Sequence, residues 1–333
     1  MSRPLLALVL AALAAPAAAE PPRVVADIAP VHSLVARVMQ GVGEPALLVP
    51  PGASPHFHAL RPSDAQSLQA AQIVVTVGPE LAPWLDRPLA TLAGTATRID
   101  LLHSPGTTVL PTRSSALFEA HSHDDHAAPD DHDDHSDHDH DHDQDHDHDH
   151  DGHDDGGSHD HGATDPHAWL DPENGKLWLD TIAAALAEAD PGNAALYRAN
   201  AAGAAAEIDA ATADTSAEVA PLDGLRYVVF HDAYQYFENR FGLPASGAIA
   251  ISDASAPGPA RIAELRERTA EMGVTCALTE PQFDPDLIAT VFQGRDVATA
   301  VLDPIGAQIP PGPQMYPALI RSIGAALAGC AAD

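Results

Sequence analysis

Between His121 and His161 the chain carries 17 aspartates, 14 histidines and no large apolar residue. Such a stretch cannot offset the entropy of ordering with buried surface, so any core must be built on either side of it. Residues 119–163 are therefore expected to form a disordered Asp/His-rich loop. It can bind metal, because imidazole suits zinc, copper and nickel while carboxylate attracts any divalent ion. Its donors are His121, His123, His126, His132, His135, His138, His140, His142, His146, His148, His150, His153, His159 and His161. They are weak and interchangeable, which makes them an accessory to a fixed site rather than the site itself.

The net charge of −32 is largely this segment, and about −15 remains for the rest of the 333 residues. Nucleic acid is a poor partner for so acidic a surface. The first residues read Arg3, an apolar run from Leu5 to Leu13, then Ala17-Ala18-Ala19 before Glu20. This is the pattern of a secretory signal peptide over 1–19, and Pro4 and Pro16 bound a run too short for a membrane anchor. No cysteine follows the run, so a soluble product outside the cytoplasm is expected. The two cysteines, Cys276 and Cys330, would meet an oxidising compartment. A disulfide tying down the C-terminal helix is the natural reading, against a zinc-binding or reactive thiol pair.

Short apolar strands alternate with helices along both remaining parts. Strands are expected at Val24–Ile28, Ala46–Val49 and Ile73–Val77, with helices at His32–Met39, Pro62–Ala70 and Leu81–Ala93. After the loop, Asp171-Pro172 and Asp190-Pro191 read as helix starts, the second helix running from Pro191 to about Val219. The alternation then resumes: strand Tyr227–Phe230, helix Ala233–Phe241, strand Ala248–Ser252, helix Pro259–Met272, strand Cys276–Thr279, strand Val297–Leu302 and helix Tyr316–Ala328. This is an α/β pattern in both halves, each a mainly parallel sheet flanked by helices, and the long helix reads as a rigid spine joining two lobes. The expected division is an N-terminal lobe over 20–118 completed by 164–190, a linker helix over 191–221 and a C-terminal lobe over 222–333.

Six histidines lie outside the loop: His32, His56, His58, His103, His167 and His231. His56 follows the strand Ala46–Val49 and His231 ends the strand Tyr227–Phe230, so both stand where open α/β sheets collect ligands. His167 precedes the helix that leads to the spine. Any one of them alone is better read as an ordinary hydrogen-bonding side chain. The motifs around them change that. Gly52-Ala53-Ser54-Pro55-His56, Arg61-Pro62-Ser63-Asp64, Asp165-Pro166-His167-Ala168-Trp169-Leu170, Phe230-His231-Asp232-Ala233-Tyr234, Thr279-Glu280-Pro281-Gln282-Phe283 and Leu302-Asp303-Pro304-Ile305-Gly306 together resemble the ZnuA-type zinc-binding receptors of ABC importers. The resemblance spans the mature chain, and the acidic His-rich insertion is typical of that subgroup.

What the resemblance implies is two α/β lobes with zinc at their interface, held by His56, His167 and His231, for delivery to a membrane permease. Zinc prefers four ligands. Asp303 is the candidate for the fourth, by its match to a ligand aspartate in manganese-binding relatives, and water is the alternative. Some zinc relatives carry a glutamate directly before the first ligand, but Pro55 stands there. His58 could chelate beside His56 or support the site from outside. Glu280 could fix an imidazole tautomer or simply cap the core. His32 and His103 match no motif and are expected to be structural. Three neutral imidazoles select borderline metals, and affinity should fall as pH drops through about 6 to 5 because imidazole must be deprotonated to ligate.

Two other function classes remain. Three histidines and a water resemble a hydrolytic zinc centre, but there is no H-E-x-x-H motif and no general base can be assigned; no enzyme activity is expected. A periplasmic zinc buffer or metallochaperone acting through the loop is the second.

Overall fold

The computed structural model describes residues 20–113, 164–250, 258–284 and 286–332. The expected signal peptide, the Asp/His segment with its histidines, and the end of the strand expected at Ala248–Ser252 lie outside these residues.

The first sheet contains β1 (Val24–Ala26), β2 (Ala46–Leu47), β3 (Ile73–Thr76) and β4 (Thr97–Asp100), all parallel in the order β2-β1-β3-β4. The second contains β5 (Tyr227–His231), β6 (Gly247–Ala250), β7 (Cys276–Thr279) and β8 (Ala298–Val301), parallel in the equivalent order β6-β5-β7-β8. Helices cover them: α1 (Ala29–Val38), α2 (Pro62–Ala70) and α3 (Asp86–Leu92) belong to the first half, and α6 (Gln235–Phe241), α7 (Pro259–Glu271), α8 (Asp286–Val291) and α9 (Met315–Ala332) to the second. Between them run α4 (Pro172–Ala189) and the long α5 (Ala194–Val219).

Strand alternation assigns the layers. Val24, Ala26, Ile73, Val75, Tyr227, Val229, Cys276 and Leu278 join one continuous core that also takes in α1, α4, α5 and α9. Their neighbours Val25 and Val74 face a separate cluster with Leu68 and Leu89, while Val228, Phe230 and Ala277 face another with Leu265 and Ile288. Each sheet is thus apolar on both faces, as parallel sheets require, and the two inner faces share one core.

The 26 residues of α5 extend about 39 Å at 1.5 Å per residue. Its buried side chains, Tyr197, Ala201, Ala204, Ile208, Ala211, Thr215 and Val219, repeat every three or four residues and form one stripe. That stripe packs mainly against α4 and α9. Alanines along it allow close approach, and Gly324 on α9 lies so near Thr215 that a Cβ there would sit 3.0 Å from Thr215 Cγ2. Arg37 of α1 adds an ion pair to Glu207 at 2.9 Å. The expected disulfide Cys276–Cys330 ties β7 to the end of α9. By length and hydropathy α9 could cross a membrane, yet half of it is buried inside the fold.

Departures from the sequence reading have local causes. Asp190 does not cap α5: its carboxylate accepts instead from the Asn193 side chain (2.7 Å) and the Tyr197 hydroxyl (2.8 Å), and Pro191–Asn193 form a 3₁₀ turn before the helix begins. Asp171 caps α4 as expected, accepting from the Glu173 amide. The helix expected over Leu81–Ala93 divides into a 3₁₀ turn at Pro83–Leu85 and α3. No apolar run marks β4, whose Thr-Arg-Ile-Asp forms a half-exposed edge strand. The short α8 is not among the expected helices.

Candidate metal centre

Three separate segments supply the site. After β2, Gly52 adopts φ +83°, a conformation that favours glycine, and the chain turns through Pro50–Ala53. Trp84 then donates its indole N–H to the Pro55 carbonyl at 2.8 Å, pinning the residue before His56. His167 immediately precedes the 3₁₀ turn Ala168–Leu170, whose Trp169 is buried and donates to the Pro304 carbonyl at 2.7 Å. His231 is the last residue of β5 and shares the strand parity of Tyr227 and Val229, which face the core common to both halves.

These elements bring His56, His167 and His231 together. Their ring centroids are separated by 5.3 Å (His56 to His167), 6.2 Å (His56 to His231) and 5.3 Å (His167 to His231). One nitrogen from each lies within 4.8 Å of the other two. His167 and His231 are buried and His56 is half-buried. Ser54, Trp169, Glu280, Gln282, Phe283, Pro304 and Ile305 complete the walls of the pocket.

Two carboxylates orient the rings. Asp165 Oδ1 accepts from His167 Nδ1 at 2.7 Å and from the His167 backbone N–H at 3.0 Å. Glu280 Oε1 accepts from His231 Nδ1 at 2.7 Å and from its backbone N–H at 3.3 Å. A carboxylate is only an acceptor, so it places the proton on Nδ1 and leaves Nε2 for a metal. Among the described residues, no hydrogen-bond partner reaches the buried His167 Nε2 or Gln282 Oε1 on the pocket wall. A buried imidazole nitrogen in that condition costs free energy that a cation relieves. The residues therefore fit a divalent ion.

Burial holds the His167 pKa well below the ordinary value, with the neighbouring His231 acting in the same direction. The ring is thus neutral and ready to ligate near neutral pH. Burial pushes Asp165 up to about 7, opposed by the His167 amide and by the charge of Arg113, so its acceptor role towards His167 belongs to its ionised form.

Asp303, expected as the fourth ligand, stands apart from this cluster. Its Oδ1 accepts from the amides of Ile305 (3.1 Å) and Gly306 (2.9 Å), and its Oδ2 from that of Ala307 (2.5 Å). A carboxylate spent on three backbone donors caps its own turn, and Asp303 does not line the pocket. His58 does not reach it either: the ring packs on Trp84 at 5.5 Å with Nε2 3.7 Å from Asp64. His32 contacts the Pro45 carbonyl at 3.1 Å, and His103 pairs with Glu80 at 3.0 Å. Glu280 is placed where the sequence suggested a tautomer-fixing acceptor.

Sequence reasoning gave no role to Asp165, although its position two residues before His167 was a usable signal. It also passed over Arg113, whose guanidinium binds Asp232 and Glu238. Nothing local marks a pairing across more than a hundred residues.

The family model described as "Zinc-uptake complex component A periplasmic" (ZnuA) matches residues 24–330. The chain is 45% identical over 307 residues to the high-affinity zinc uptake system protein ZnuA of Brucella abortus (strain 2308), covering 92% of this chain and 91% of that one. It is 46% identical over 327 residues to the protein of the same name from Paracoccus denitrificans (strain Pd 1222), covering 98% and 96%. Among solved structures, a crystal structure of ZnuA superposes with a TM-score of 0.71 at 19% identity over 93% of this chain and 99% of that one. A zinc-bound ZnuA carrying a 138–173 deletion gives 0.69 at 20% identity, over 93% and 98%. These two establish a shared fold. With a family model spanning nearly the whole chain and two relatives near half identity, the protein belongs to the ZnuA family of periplasmic zinc-uptake components.

Proposed function

We propose that this chain captures Zn²⁺ in the periplasm and delivers it to the membrane permease of an ABC importer, with zinc as cargo and no catalysis. The observation that carries this reading is the convergence of His56, His167 and His231 from three segments, two of them held by carboxylates. In this reading Nε2 of His167, Nε2 of His231 and one ring nitrogen of His56 ligate the ion and the fourth position is taken by water, since Asp303 is committed to its turn. Asp165 and Glu280 bring negative charge behind the rings and strengthen their basicity. Export follows cleavage near Ala19. The lobes are 20–118 with 164–190, and 222–333, with 191–221 between them. The chain acts as a monomer.

The test is competition for zinc between the full chain and a chromophoric chelator. His167→Ala and His231→Ala should each abolish the tight component and leave the weak binding of the Asp/His segment. Retention of tight binding in both variants would overturn the receptor reading and favour a buffer acting through that segment alone.

A further inference from the structure

Both roots of the Asp/His insertion are fastened to one short helix and the residues leading into it. On one side stands Arg113. Its Nε lies 3.0 Å from each oxygen of Asp232, its Nη1 2.8 Å from Glu238 Oε2 and its Nη2 3.1 Å from Glu238 Oε1, with Nη2 also against Asp232 Oδ1. Both carboxylates are buried. On the other side Thr164 bridges to Pro111 in antiparallel fashion, and the Asp165 amide donates to the Leu110 carbonyl at 2.9 Å. The Tyr236 hydroxyl joins the two, accepting from the Leu110 amide at 2.9 Å and donating to the Asp165 carbonyl at 2.8 Å. Arg240 completes the contact through a forked pair with Asp171, both bonds 2.8 Å.

This arrangement touches the metal centre at two points. Asp232 is bonded in the chain to His231, and Asp165 hydrogen-bonds His167. Arg113 therefore joins the strand segment that pairs with the lead-in to one ligand to the carboxylate beside another. We propose that Arg113 is a positioning residue of the metal centre, setting His231 against His167 through Asp232. This rests on the reading that the three histidines hold the metal. A planar fork binding two carboxylates fixes direction as well as charge, which an ammonium does not. The competing account is that Arg113 only neutralises two buried carboxylates and supports the fold.

Two variants of the full chain separate these accounts. Arg113→Lys keeps the charge and loses the fork; the triple variant Arg113→Gln, Asp232→Asn, Glu238→Gln removes all three charges together. Zinc affinity is read by chelator competition, and ligand geometry by the d–d absorption of one equivalent of Co²⁺, with His167→Ala defining the background of the insertion. Positioning predicts that zinc binding weakens about 10-fold or more in both variants, with a shifted Co²⁺ band. Wild-type affinity and a wild-type band, whatever the melting temperature, overturn it. If Arg113→Lys does not fold, the charge-free variant decides between the accounts by the same two measurements. Wild-type behaviour of His167→Ala would instead overturn the site itself.

Discussion

One oxygen of Glu280 accepts from both the ring Nδ1 and the backbone N–H of His231, at 2.7 and 3.3 Å. The side chain and main chain of a histidine at a strand end are thus held by a single buried atom, and rotation of the ring away from His167 would break its shorter bond. Glu280→Ala should weaken zinc binding about 10- to 100-fold. Chelator competition measures this; a dissociation constant equal to that of the parent protein would show that the ring is held by packing alone.

Asp303→Ala should behave in the opposite way. Three amides would lose their acceptor, costing about 1–3 kcal/mol of stability, while zinc affinity should stay within about 10-fold of the parent, the range in which supporting groups begin to be felt. Denaturation and zinc competition on the same sample decide it, and a collapse of affinity would restore Asp303 to the ligand set.

Asp27 makes stability depend on pH. Burial raises its carboxyl to about 7, against the pull of three backbone amides, those of Val77, Ile28 and Asp27 itself. A raised acid is favoured in its neutral form, so its stabilising contribution is complete below about 4 and is lost as pH rises through 7, by on the order of 4 kcal/mol. Asp27→Asn cannot ionise and loses one acceptor at every pH. With metal chelated, the parent should lose stability relative to Asp27→Asn between pH 4.5 and 8 in urea melts; a constant difference would refute the assignment.

Gly175→Ala reverses a helix rule. Within a helix the change ordinarily stabilises by about 0.5–1 kcal/mol, but at Gly175, in the first turn of α4, a Cβ would fall against the Tyr316 hydroxyl, which donates to the Trp169 carbonyl at 2.7 Å. Overpacking of a buried contact costs about 1–3 kcal/mol or more. The melting temperature should drop, and a rise would mean that Tyr316 yields without cost.

Cutting the disulfide should cost about 4 kcal/mol in the chain-entropy model for a separation of 54 residues. Cys276→Ser with Cys330→Ser should therefore melt lower than the parent while binding zinc with the same affinity, because neither cysteine lines the metal pocket. Unchanged melting would show that α9 is secured by its packing.

How far these features could be read in advance depended on whether their cause was local. The limits of α2 and β7 coincide with the expected ones because Pro62 and the apolar run Cys276–Leu278 announce them. The alternation of strand and helix sufficed for two parallel sheets, and the motifs around His56, His167 and His231 singled out the imidazoles that come together. β4 escaped because an edge strand can be polar. The three amides that Asp303 accepts from in its own turn could not be read from its identity. Arg113 and Asp232 are 119 residues apart, and no pattern in either neighbourhood points to the other.

The two sheets carry the same strand order, yet the three clustered histidines are not shared out symmetrically: one follows the second strand of the first sheet, another ends the first strand of the second, and the third belongs to neither. The metal centre is consequently indivisible. A fragment retaining either sheet alone keeps a folding pattern but forfeits the constellation, so proteolytic nicking that lets the halves part would erase binding in one event rather than by degrees.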